Sequence, residues 1–132
     1  MIKGVIFGLD TITDIPVNIS EIKENKDKSR LFIELALLGL QKCVYSKEPL
    51  GVMQNIINKL NINHLVNSIV SSVETSSYEY VLATCAKNMG LLPEECKVVA
   101  LHNQFPEMKD VLCVSNSNEV SIDILACICG DA

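Results

Sequence analysis

A chain of 132 residues with 48% hydrophobic but only 5% aromatic side chains has room for one domain, residues 1–132, built around an aliphatic core. Its net charge of −5 and pI near 4.9 argue against an electrostatic nucleic-acid surface. Mean hydropathy is high at +0.28, yet the longest near-apolar run, residues 31–40, is short and carries Glu34, so no membrane span is expected.

No signal-peptide pattern precedes the first apolar run, and a cytoplasmic protein is the expectation. The six cysteines, Cys43, Cys85, Cys96, Cys113, Cys127 and Cys129, fall mostly inside apolar runs without a C-x-x-C pair. They read as buried free thiols, because a structural zinc site wants about four ligands. The charge-rich run at residues 21–30 mixes both signs and reads as a solvated face or loop.

Residues 3–7 read as a first buried strand that breaks into polar residues at Asp10 and Asp14, where a parallel sheet presents its carboxyl ends and binds ligands. Ser29 is the expected N-cap of a helix to about Leu38, apolar nearly all round and therefore heavily buried, with Gly39 at its end. A second strand covers residues 41–45. Pro49 suits the first turn of the next helix, with Val52, Met53, Ile56, Ile57 and Leu60 on one face and Asn61 at its stop. Residues 68–70 form a short third strand.

Ser76 with Glu79 has capping-box spacing ahead of a stripe formed by Tyr78, Val81, Leu82, Cys85, Ala86 and Met89, and Gly90 fits the left-handed position past it. After a turn at residues 93–95, residues 97–101 read as a fully buried central strand. A helical turn at residues 105–109, a fifth strand at 111–114 and a last helix capped by Asn116 or Asn118 and ended by Gly130 complete the chain. Strands alternating with helices through short connections specify an α/β fold, a three-layer doubly wound parallel sheet of about five strands.

Phe7, Leu9 and Asp10 resemble the first motif of the haloacid dehalogenase-like (HAD) phosphohydrolases, a strand ending in Phe-Asp-Leu-Asp-Gly-Thr. The run from Gly39 through Ser46 to Pro49 is similar to the second motif, a strand ending in Ser or Thr. Residues 76–82 and the Met89-Gly90-Leu91-Leu92-Pro93-Glu94-Glu95-Cys96 turn resemble the third, and residues 97–103 lie where the family has Val-Val-Gly-Asp-Ser. The likeness runs in order from residue 1 to about residue 115, and it implies a HAD-like fold without a cap, because residues 15–29 are short and polar and residues 66–75 make a simple connection.

What the resemblance implies for chemistry is mostly loss. Gly8 stands at the nucleophilic aspartate, and it has no side chain to carry an aspartyl-phosphate. Asp10 matches the general acid/base and Ser46 the phosphoryl-binding hydroxyl. Ser76, or Ser77 one residue on, replaces the lysine. Leu101 replaces the acidic residue of the Mg²⁺ site, with His102, Asn103 and Gln104 beyond it. Magnesium is usually held by one or two carboxylates plus substrate phosphate. In the family Asp10's counterpart offers it mainly a backbone carbonyl. Losing one stabiliser of transition-state charge costs about two to three orders of magnitude in rate.

Each retained residue also has a plain structural reading. Asp10 and Asp14 could form a retained acid pair, but the plainer expectation is that Asp10 caps the turn after the first strand, its carboxylate taking loop N–H groups. Ser46 reads as an N-cap for the helix near Pro49. His102 reads as a solvated loop histidine without a nucleophile or carboxylate partner, and His64 carries no signal. The sequence therefore points to a catalytically inactive HAD-like domain serving as a binding or assembly module, without a cofactor, nucleic acid or membrane, and with a protein partner or a second copy of itself. The alternatives are a phosphatase with an unorthodox site at Asp10, Ser46 and His102, which would need Mg²⁺, and a receiver-like signalling domain. The latter lacks an acceptor aspartate in Val70-Ser71-Ser72.

Overall fold

The computed structural model describes residues 2–13, 22, 26–73, 77–102, 104, 105, 111–115 and 119–129. Its elements run β1 (Gly4–Gly8), α1 (Leu9–Ile12), α2 (Lys26–Leu37), β2 (Gln41–Tyr45), α3 (Leu50–Lys59), β3 (Ser68–Val70), α4 (Tyr78–Met89), β4 (Cys96–Leu101), β5 (Val111–Val114) and α5 (Leu125–Cys129). All strand pairings are parallel, in the order β3-β2-β1-β4-β5. Strand order reverses direction at β1, whose carboxyl end is the crevice where doubly wound sheets bind ligands. The expected fold class is the one observed, with β1 rather than β4 at the sheet's centre.

Alternation along the strands divides the core in two. Val5, Phe7, Val44 and Val99 face α2, α3 and α5, meeting Leu31, Phe32, Leu35, Met53, Ile56, Ile57 and Ile128. Phe7 stacks on Phe32 at a centroid distance of 4.9 Å. Ile6, Cys43, Tyr45, Val98 and Ala100 face α4 through Val81, Cys85 and Met89. Short side chains from β1 and β4 on this side let one helix cover the middle of the sheet.

Several boundaries differ from expectation. Helix α2 starts at Lys26, so Ser29 lies inside its first turns, its Oγ buried without a partner, and cannot be the cap. The extra turn is held because Lys28 is buried in series with Leu31, Phe32 and Leu35, its ammonium donating to the Val120 carbonyl at 3.1 Å. Nor is α2 buried all round: Leu37 is 75% and Ile33 44% exposed, since a helix on the outside of a sheet can bury only one stripe. Pro49 sits one residue ahead of α3, at the N-cap.

The cap of α4 is Ser77, whose Oγ accepts from the Tyr80 N–H at 3.3 Å. Ser76 lies outside the described residues. Gly39, Asn61 and Gly90 are all left-handed, as their helix-ending roles require. The last helical segment starts at Ser121, which caps a 3-10 turn (Ile122–Ile124) leading into α5. Asn116, Asn118 and Gly130, like residues 106–109 of the expected helical turn, lie outside the described residues.

Candidate functional site at the carboxyl edge of the sheet

Strand β1 delivers Gly8 to this edge and turns at once into α1. The Thr11 hydroxyl donates to the Gly8 carbonyl at 2.6 Å, and the Thr13 N–H to the Leu9 carbonyl at 3.2 Å, closing a single helical turn. Gly8 has φ −65° and ψ 140°, which any residue adopts, so its backbone does not demand glycine. Space demands it. A Cβ at Gly8 would lie 2.7 Å from Asp10 Oδ1, 3.2 Å from the Tyr45 hydroxyl oxygen and 3.4 Å from Tyr45 Cζ.

Asp10 thus fills the place a side chain at position 8 would take. Its Oδ1 stands about as far from that Cβ position as an aspartate's own carboxylate oxygens stand from theirs. One carboxylate remains at the site, supplied from two residues downstream. Helix α1 begins at Leu9 with Gly8 at its N-cap position, and Asp10 Oδ1 is buried with no hydrogen-bond partner. Burial pushes the Asp10 carboxyl above the ordinary carboxylate value, opposed by its own backbone N–H and by the charge of Lys47.

Tyr45 lies beside Gly8 in the parallel register of β1 and β2 and is 1% exposed. Its hydroxyl is also buried without a partner. Burial, then the negative charge of Asp10, holds the phenol far above its usual range. Two polar atoms with unmet hydrogen bonds therefore lie within 3.2 Å of one point at the ligand-binding edge. An unmade buried hydrogen bond costs about 1–3 kcal/mol.

Ser46 is buried, but it caps no helix. Its Oγ accepts from the Glu48 N–H at 3.1 Å, making a tight turn, while its backbone ties the edge together through Val70 and Val73. The facing Ser72 is left-handed at φ 53°. Ser77, the alternative position for the family's lysine, spends its hydroxyl on capping α4. Leu101 is half-buried against the Val5 and Phe7 side of the sheet and offers no ligand atom. His102 is exposed, its backbone N–H bonded to the Val114 carbonyl at 2.8 Å. Asp14 and Asn103 lie outside the described residues.

The structure brings Gly8, Asp10 and Ser46 to one edge. It adds Tyr45, Thr11 and Lys47, which the sequence reading passed over. Tyr45 had a signal: once residues 4–8 and 41–45 are aligned as parallel neighbours, position 45 must abut position 8. Among the described residues no three His, Cys, Asp or Glu side chains converge as metal ligands. With Leu101 at the acidic position and Asp10 packed inward, the residues present do not fit the family's Mg²⁺.

Elsewhere, Cys43 and Cys85 are buried free thiols that share a hydrogen bond, which draws the Cys43 thiol down and pushes Cys85 up. Cys96 and Cys113 are half-buried and Cys127 exposed, all three free, while Cys129's side chain lies outside the described residues.

No protein-family profile and no curated protein matches the chain. Solved structures do. A beta-phosphoglucomutase from Clostridium difficile superposes with a TM-score of 0.70 at 13% identity, over 95% of this chain and 96% of that one. A protein assigned as beta-phosphoglucomutase from Thermotoga maritima gives 0.71 at 9% identity, over 96% and 100%. The cobalt-bound deoxy-D-mannose-octulosonate 8-phosphate phosphatase of Haemophilus influenzae gives 0.60 at 17%, over 84% of this chain and 66% of that one.

The fold is HAD-like. At these identities the likeness carries the architecture of the HAD-like enzymes and not their chemistry.

Proposed function

We propose that this chain is a HAD-like domain without phosphoryl-transfer activity that serves as a binding or assembly module. The observation that carries the reading is Gly8, whose missing side chain is replaced in space by the inward-packed carboxylate of Asp10. Asp10 Oδ1, the oxygen that takes that place, has no accessible surface from which to attack a phosphorus atom in line. The absence of a fitting Mg²⁺ ligand set among the described residues and the commitment of Ser77 to capping support the same reading.

One observation favours the alternative of an unorthodox hydrolase: Lys47 lies close enough to act on Asp10 by its charge, as the family's lysine would. A single experiment separates the two. Thermal stability is followed on adding Mg²⁺ and beryllofluoride, alone and together, beside hydrolysis of an aryl phosphate by the native chain and Asp10→Asn. The proposal expects no joint stabilisation and the same background rate for both proteins. A shift requiring both additives, or hydrolysis that Asp10→Asn abolishes, overturns it.

The module's partner is a protein or a second copy of the chain. Ile33, Leu37, Leu38, Leu50, Tyr80 and Leu92 are the large apolar side chains left exposed among the described residues. Light scattering across a concentration series distinguishes the two, a constant monomer mass arguing for a different partner. No helix among the described residues is long and apolar enough to cross a membrane. The five free cysteines among the described residues fit a cytoplasmic, reducing setting, which belongs to the proposal.

A further inference from the structure

We draw no further inference here: the strongest candidate, the pair of unpartnered polar atoms beside Gly8 at the carboxyl edge of the sheet, Asp10 Oδ1 and the Tyr45 hydroxyl, belongs to the site already described.

Discussion

Gly4 and Gly8 stand at the two ends of β1, both buried, both facing the α4 side of the sheet. Each is crowded: a Cβ at either would find a heavy atom at 2.7 Å. The neighbours differ in kind. At Gly4 they are Leu91 Cδ1 and the end of the Met89 side chain, flexible and apolar. At Gly8 they are a carboxylate oxygen and a rigid, fully buried phenol, neither with its hydrogen bonds met.

The surroundings follow the same division. At the amino edge, the Lys3 N–H donates to the Glu95 carbonyl at 2.7 Å, the Leu92 N–H to the Glu95 carboxylate at 2.9 Å, and Gln41 Nε2 to the Met89 carbonyl at 3.1 Å. Polar groups there are paired. The carboxyl edge keeps two unpaired atoms and a left-handed serine, costs that stability alone does not explain and that cluster where folds carry sites.

The largest expected effect comes from returning the family's residue. Gly8→Asp must evict Asp10 or set two carboxylates side by side in a buried place. We expect a loss of about 3 kcal/mol in urea unfolding at pH 7, the scale of an uncompensated buried charge. Because like charges raise the folded-state pKa, that cost is present above the raised value and disappears below the unfolded one. The loss should therefore shrink as pH falls toward 4, and no phosphatase activity should appear. A stable, active Gly8→Asp protein would erase the contrast between the two ends of β1.

Asp10→Asn tests the same edge from the other side and should stabilise. The folded carboxyl has its pKa raised above the ordinary 3.8, so the unfolded chain ionises first as pH rises. Stability therefore falls through that interval and stays lowered at neutral pH. The amide removes the buried charge. We expect a gain of about 1 kcal/mol at pH 7, at the low end for an unmet buried group because Asp10 as a residue is only partly buried, although its Oδ1 is enclosed. The gain should vanish below pH 4. Equal stability of the two proteins across pH 3–7 would mean that Asp10 Oδ1 is solvated.

The fold was legible because its signals are local. The β1 and β4 runs, the helical stripe of α4 and the left-handed Gly39, Asn61 and Gly90 follow from periodicity and backbone preference. Helix starts were read less well. Ser29, Ser76 and Asn116 have capping chemistry, but the buried Lys28 and its bond to Val120 extend α2 past Ser29, a contact across 92 residues that no local pattern shows. At the site, the sequence revealed which groups are missing. It did not reveal that Asp10 would turn into the space left by Gly8, since that depends on Tyr45 arriving from the neighbouring strand.

At the amino end, Gly4→Ala should be the milder glycine substitution. Leu91 Cδ1 and the Met89 tip are the far ends of flexible side chains, Leu91 only partly buried, so both can shift to admit a methyl group. Alanine also recovers part of the strand stability glycine forgoes, so the variant should lie within about 1 kcal/mol of the native chain. A loss as large as that of Gly8→Asp would show that crowding alone, and not the polar character of the neighbours, sets the difference.

The smallest expected effect is at the Lys3–Glu95 ion pair, whose N···O distance is 2.7 Å. The hydrogen bond between them raises the Lys3 pKa and lowers that of Glu95. For Glu95 the stabilisation is present above the unfolded value of 4.5 and lost as pH falls through the lowered folded value; for Lys3 it is present below 10.5 and lost as pH rises past the raised one. Lys3 is exposed and Glu95 only partly covered, so salt should screen most of the interaction, leaving Lys3→Met almost indistinguishable from the native chain at high ionic strength. The Glu95 carboxylate keeps its bond to the Leu92 N–H in that variant, so Glu95→Ala should be the more damaging partner. If Lys3→Met proved the worse and salt made no difference, the amino edge would owe its order to a desolvated charge pair, and its contrast with the Asp10 edge would be one of degree.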